Sequence, residues 1–304
     1  MVRVKSVQIA HLLLAALILV ILLVPGAKKT ASPVYLISAV AIIEATYILF
    51  VTRHKDKVRA YSNILSILWS IMLIWECLVT KLDMMHPVLV PSLENIAAVF
   101  REDYAVMLTG IISSLEILLV GVAVGLALGT LLGLVFGWNK KLKEVFYPIA
   151  NVLAPIPSIV FAPYIIAIMP SFRSASVVVI LLGIFWPCFL KTLISIEGID
   201  KNIIDLAKTL GLSDGAMIFQ ILLPYSLPGI VSGLRVTMTT AVMMLTFAEM
   251  LGATSGMGYY IVNFNTYGNY TKVIAGIIVV GLVVTLLSAI TSKIQKSCIK
   301  WKSY

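Results

Sequence analysis

Three carboxylates stand inside long apolar stretches of the chain: Glu44, Glu116 and Glu249. Ionisable groups at membrane depth are costly, so each is a candidate for ion coupling or solute contact. Acting in series, they would form the relay of an ion-coupled secondary transporter. Other chemistry finds little support. His11, His54 and His86 lack metal-ligand spacing. Cys77, Cys188 and Cys298 form neither a metal pattern nor a disulfide framework and read as inert thiols. Neither H-E-x-x-H nor G-x-S-x-G occurs, which ranks an intramembrane enzyme last. G-x-x-x-x-G-K-[ST] is also missing, so ATP must be bound by another polypeptide. No catalytic residue, metal or cofactor is expected on this chain.

The stretches that position these groups are rich in apolar residues. Of 304 residues, 60% are hydrophobic and 12% charged, against roughly 45–50% and about 25% in soluble domains. Eight runs are candidates to cross a bilayer as helices: residues 11–24, 34–51, 63–78, 108–136, 146–169, 176–193, 229–250 and 273–290, the first being short. Lipid offers the backbone no partners, and these lengths exclude strands, so the expected fold is all-α and polytopic with about eight transmembrane helices.

Positive charge gathers in alternate loops. Arg3 and Lys5 precede the first run; Arg53, Lys55, Lys57 and Arg59 follow the second; Lys140, Lys141 and Lys143 follow the fourth. Lys201 and Lys208 follow the sixth, and Lys293, Lys296, Lys300 and Lys302 close the chain. With eight spans all of these fall on one side, which the positive-inside rule makes cytoplasmic together with both termini. The net charge of +9 is thus a matter of membrane topology and gives no ground for a nucleic-acid partner. "MVRVK" before "LLLAALILVILLV" has the charge and apolar core of a secretory signal, but "PGAKKT" offers no small-x-small cleavage site, so a retained span is expected.

Residues 1–60 supply two spans and a basic loop and read as an appendage to a six-span core over residues 61–304. Ser92, after Pro87 and Pro91, is a candidate N-cap of a short outer helix. Gly121, Gly125, Gly129, Gly133 and Gly137 recur every four residues and so share one helix side, as a tight packing face requires. In the fifth run Pro148, Pro155, Pro157 and Pro163 remove backbone donors and predict a broken or bent span. Irregular backbone at membrane depth needs shielding or a cavity, so Pro155, Pro157 and Pro163 join Glu249 as candidate pathway residues. Two readings stay open for Glu249, pathway wall and helix contact.

One loop is unlike its surroundings. In "DLAKTLGLSDGAMIFQILLPYSLPGI", residues 205–230, charged and apolar residues alternate with helical periodicity. Ile203, Leu206, Ala207 and Leu210 fall at i, i+3, i+4 and i+7 and make one apolar stripe. Gly211 supplies a stop, Ser213 or Asp214 a new N-cap, and Pro224 a limit to the second helix. Two short amphipathic helices joined by a sharp turn are expected. An exposed apolar stripe on such a helix calls for a partner.

These residues resemble the membrane subunits of type I ABC importers, whose signature reads approximately E-A-A, three residues, G, nine residues, I, one residue, L-P. Asp205, Leu206 and Ala207 stand at the first three positions, Gly211 at the glycine, Ile221 at the isoleucine, and Leu223 and Pro224 at the end. Asp for Glu and Leu for the first Ala are departures. "LLPYSLPGIVSGLRVTM", "FAEMLGATSGMGYYI" and "LAPIPSIVFAPY" are similar to the branch importing nitrate, aliphatic sulfonates and taurine, and the likeness covers about residues 82–293. The first two spans have no counterpart in the minimal pattern.

The resemblance implies that residues 197–228 are a coupling segment, with Asp205, Leu206, Ala207, Leu210, Gly211, Ile221, Leu223 and Pro224 seating on a separate ABC ATPase that carries ATP and Mg. It also implies an extracellular or periplasmic solute-binding protein, a second permease copy as a homodimer, and a place in a prokaryotic inner membrane. The solute would be small, anionic organic or nitrate- or sulfonate-like. ATPase closure would push on the segment and, through spans five to seven, open the path alternately to each side.

Overall fold

The computed structural model describes residues 2–298, with side chains from Lys5 onward, so Arg3, Lys300 and Lys302 of the charge map fall outside it. Among these residues every regular element is helical. Seven helices are long and apolar enough to cross a bilayer, and a bent pair over Lys140–Leu153 and Ser158–Ile168 makes an eighth. The all-α polytopic fold is the one expected.

In chain order the helices are α1 (Val2–Leu23), α2 (Pro33–Arg53), α3 (Val58–Trp75), α4 (Leu93–Glu102), α5 (Tyr104–Trp138), α6 (Lys140–Leu153), α7 (Ala162–Ile168), α8 (Phe172–Ser195), α9 (Lys201–Thr209), α10 (Asp214–Ala216), α11 (Leu223–Gly252), α12 (Met257–Thr266) and α13 (Tyr270–Cys298). They fall into two compact units, Met1–Val106 with Ile261–Ile277, and Met107–Tyr260 with Ile278–Tyr304. The division expected near residue 60 lies inside the first.

In the first unit, Leu17 of α1, Val40 of α2 and Trp69 of α3 share one core, against which Leu93 and Ala97 of α4 pack. The Tyr47 and Ser62 hydroxyls meet at 2.9 Å inside it. Ser92 caps α4 by accepting from the Asn95 amide at 3.4 Å, as its sequence context predicts. Glu44 lies 3.7 Å from His11. Beyond α3 a wide turn over Glu76–Lys81 buries Glu76 beside Lys81 at 3.4 Å.

The second unit is organised by α5, 35 residues long and so about 52 Å at the helical rise. Its glycine row faces α8. A Cβ added at Gly121 would lie 2.8 Å from the Ile180 side chain, at Gly129 2.9 Å from the Phe185 carbonyl, and at Gly133 2.7 Å from Thr192 Cβ. Every fourth residue must therefore be glycine for the two backbones to approach this closely. The broken span follows from its prolines. α6 ends at Leu153, Pro155 and Pro157 cannot donate to a continuing helix, and the chain bends by 83°. Pro163 sits in the first turn of α7, where its missing N–H has no partner to lose. Ala162 and Ile165 of α7 pack on Ala175 and Val179 of α8.

Candidate functional site

The segment between α8 and α11 is built on a small buried core. Leu134 from α5, Ile196 and Ile199 past the end of α8, Ala207 from α9, and Met217 and Leu222 before α11 form one cluster, with Ile204, Ile221 and Leu223 packed on it. Polar ties reinforce it. The Tyr225 hydroxyl donates to the Gly198 carbonyl at 2.8 Å, the Ser195 and Ser226 hydroxyls meet at 2.8 Å, and Lys143 pairs with Glu197. The ends of α5, α6 and α8 and the start of α11 are thereby joined beneath α9.

Asp200 caps α9, its carboxylate accepting from the Asn202 amide at 2.9 Å. The helix ends as Gly211 predicts: its φ is +75°, the Gly211 N–H donates to the Lys208 carbonyl at 2.9 Å, and the Leu212 N–H donates to the Ala207 carbonyl at 3.1 Å. This pair of bonds is the Schellman arrangement, which closes the helix with backbone groups alone. No atom lies within 4 Å of where a Cβ at Gly211 would stand, so the turn projects into open space. Ser213 supplies the second cap, accepting from the Ala216 amide at 3.3 Å.

Two details differ from the sequence-based expectation. The apolar stripe divides, because Ala207 is buried while Ile203, Leu206 and Leu210 are 46%, 61% and 71% exposed. Leu206 and Ala207 are neighbours about 100° apart on the helix, so one faces the core and the other faces out. Pro224, moreover, starts a helix where an end was expected. From Asp214 a continuous helical run extends to Gly252, with Pro224 in the first turn of α11 after a wide turn over Met217–Leu222. Wide turns relieve the clash and missing donor that proline brings to a regular helix. Asp205 is exposed beside Leu206. Phe219, at 59% exposure, is a fourth large exposed apolar side chain of the segment.

Trp138, at the end of α5, was not foreseen. Its indole N–H donates to Asp214 at 2.9 Å, and the Lys208 ammonium stands 5.7 Å from its ring centre. It clips both sides of the Gly211 turn to α5. A lone tryptophan next to a basic loop reads as an interfacial anchor, so the sequence carried a place for it without a partner.

The intramembrane carboxylates are each engaged locally. Glu116 pairs with Arg173 at 2.5 Å. Glu249 is fully buried and accepts from the Ser114 hydroxyl at 2.5 Å and the Gly258 N–H at 2.7 Å. Ser114 in turn accepts from the Met257 N–H at 2.9 Å. Gly256, with φ +126°, lies against the carboxyl group where any side chain would collide. Of the two readings open to Glu249, the geometry supports the helix contact: it ties the free N–H groups starting α12 to α5 and α11. Pro155, Pro157 and Pro163 are exposed along the bend. Glu44, in the first unit, lies beside His11.

The chain is similar to known membrane proteins in sequence and in fold. Residues 121–300 match the model of the family described as binding-protein-dependent transport system inner membrane component. The putative aliphatic sulfonates transport permease protein SsuC of Bacillus subtilis is 28% identical over 167 residues, 55% of this chain and 60% of that protein. The nitrate import permease protein NrtB of Leptolyngbya laminosa is 29% identical over 180 residues, 59% of this chain and 64% of that protein. Each match spans less than two thirds of the relative's length. In fold, the chain is similar to a chain of the inward-facing MetNI methionine ABC transporter, with a TM-score of 0.56 at 20% identity, covering 64% of this chain and 96% of that one.

Proposed function

Because the chain belongs to the binding-protein-dependent transport system inner membrane component family, the permeases of type I ABC importers, we propose that it passes a small solute inward by alternating access, driven by a separate ATPase. The observation that carries this reading is the split of the α9 stripe. Ile203, Leu206, Leu210 and Phe219 are exposed although they lie in a charged segment among Lys201, Asp205 and Lys208, while Ala207 beneath them is locked into the core joining α5, α8 and α11. An apolar face on a rigid seat fits a docking surface for the ATPase.

In this reading Asp205, Leu206, Leu210 and Gly211 meet the ATPase. Ala207, Ile221, Leu223 and Pro224 belong to the seat that carries the push into spans four to seven. ATP and Mg reside on the partner, and this chain performs no hydrolysis. The positive-inside pattern supports placing this face and both termini in the cytoplasm. A solute-binding protein delivers from the opposite side, and a second copy of the chain completes the pathway, with the exposed break at Pro155, Pro157 and Pro163 along its wall. Relatives named for sulfonates and nitrate support a small anionic solute. Residues 1–60 act as an accessory to the permease core.

Leu206→Glu tests the docking claim. The side chain is exposed, so the charge leaves the fold intact and is expected to abolish co-purification of the ATPase and ATP-dependent uptake while membrane insertion and melting temperature hold. Undiminished ATPase binding by Leu206→Glu and Leu210→Glu together would overturn the assignment.

A further inference from the structure

Glu76 and Glu94 face each other inside the first unit, one in the wide turn that follows α3 and the other in the first turn of α4. They are 0% and 2% exposed, and Thr80 between them is 1% exposed. The Thr80 hydroxyl donates to Glu76 Oε2 at 3.1 Å and stands 3.5 Å from Glu94 Oε2. The two carboxyl groups lie within hydrogen-bonding reach of one another. The other oxygen of Glu76, Oε1, accepts no hydrogen bond and has only the Lys81 ammonium, 3.4 Å away.

Charge and hydrogen bonding both leave this cluster short of a proton. Two carboxylates bring two negative charges, Lys81 returns one, and the N-terminus of α4 beside Glu94 offsets about half of another. Among the described residues no other cation is within ion-pair reach of either group. Charges on the neighbouring elements are engaged elsewhere. Lys28 of the α1–α2 loop pairs with Asp83, and His11 of α1 stands beside Glu44 of α2. At the far end of α4, Arg101 reaches the Tyr35 hydroxyl and Asp103 takes Lys272, while Lys29 and Glu102 are exposed. A hydroxyl carries a single proton, so Thr80 serves one carboxylate at a time. Two ionised carboxyl groups in contact have no donor between them, and they repel strongly where water is excluded.

We infer that Glu76 and Glu94 hold one proton between them, and that this proton fastens α4 to the turn after α3. Lys81 favours an ionised Glu76 and the start of α4 an ionised Glu94, so the proton belongs to the pair and not to either residue. The same place gathers the rest of this end of the unit. The Thr80 carbonyl accepts from the Ala27 N–H at 3.0 Å, and Asn95, next to Glu94, accepts from the Ala31 N–H at 2.7 Å. Losing the proton therefore loosens α4, the turn and the α1–α2 loop together. The folded chain holds a proton that the separated carboxyl groups of the unfolded chain, acids of about pH 4, release. Stability falls with rising pH wherever the folded state binds more protons, so the latch is tight in acid and slack in alkali. A sodium ion would meet the same deficit of charge, although Lys81 beside Glu76 opposes it, and the test separates the two.

Full-length chain in phosphatidylcholine nanodiscs is melted at a series of pH values from about 6 to about 9, beside Glu94→Gln and Glu76→Gln, in potassium-free choline buffer. Each glutamine carries in its amide the hydrogen that the pair otherwise borrows, and leaves Lys81 facing one carboxylate at most. The parent is expected to lose melting temperature relative to both variants as pH rises, by roughly 3–5 °C per pH unit at the steepest, the slope of one proton. At the alkaline end Glu94→Gln is expected to melt above the parent. Parallel curves for parent and variants overturn the shared proton. Failure of both glutamine chains to fold overturns it too, since glutamine supplies the same donor. A saturable rise of the parent's alkaline melting temperature on adding sodium, absent from Glu94→Gln, assigns the site to a metal ion and overturns the proton. The latch requires neither ATPase nor solute, so its outcome leaves the importer reading untouched.

Discussion

Replacing Glu249 with glutamine separates a structural latch from a pathway group. The carboxyl group accepts two hydrogen bonds in a fully buried setting, from Ser114 at 2.5 Å and the Gly258 N–H at 2.7 Å. Glutamine offers one acceptor oxygen, so one of those donors loses its partner whichever way the amide turns. An orphaned buried donor costs about 1–3 kcal/mol, and Glu249→Ala, which orphans both, costs about twice that. At roughly 2–4 °C per kcal/mol, Glu249→Gln lowers the melting midpoint by roughly 2–12 °C, read from tryptophan fluorescence of the detergent-solubilised chain. In Ser114→Ala, which has already lost one of the two donors, the same substitution is expected to cost less, because contacting residues do not act additively. A Glu249→Gln chain that melts like the parent yet no longer supports uptake in the complete transporter would refute the latch and return Glu249 to the pathway.

Two further substitutions test the scaffold. Gly211→Ala places a side chain at φ +75° with nothing nearby to strike, so its whole effect is conformational, about 1–2 kcal/mol; asparagine is expected to be milder, and equal melting temperatures for parent and Gly211→Ala would count against the Schellman turn. Gly133→Ile forces α5 from α8, because the new Cβ alone would sit 2.7 Å from Thr192 Cβ and 3.0 Å from the Phe189 carbonyl. It should accelerate proteolysis sharply, whereas Gly281→Ala, where an added Cβ meets nothing, should not.

Much of the helix inventory was legible because lipid reduces the choice of backbone structure. Where water is absent, length and apolarity alone select helices, so eight runs in the sequence return as seven long helices and one bent pair. The glycine row and Ser92 were equally readable, since each acts through spacing of four residues or fewer. What escaped depends on distant partners. Trp138 meets Asp214 across 76 positions, and Glu249 meets Ser114 across 135; periodicity names the side of a helix but not what faces it. The stripe on α9 shows the same limit within one turn, since helical spacing groups Leu206 with Ala207 and only the packing of Leu134 and Met217 decides which of them is covered. Pro224 was misread because proline both stops a helix and opens one, and the local sequence fits either.

If α9 receives an ATPase as proposed, the arrangement around it has a mechanical logic. A helix that is to pass a push must be stiff where it meets the membrane helices and bare where it meets the motor. The first requirement accounts for the density of ties under α9, including Tyr225 to Gly198, Ser195 to Ser226 and the shared apolar core. Packed interiors transmit displacement instead of absorbing it. The second accounts for the way the turn is closed. A Schellman end uses only backbone groups, and the Trp138 clip holds Lys208 and Asp214 from below. The outer side chains take no part in holding the turn and, in the proposed reading, remain free for the ATPase. The clip reaches α5, whose glycine row is pressed against α8, so movement of α9 would be shared by α5, α8 and α11 together.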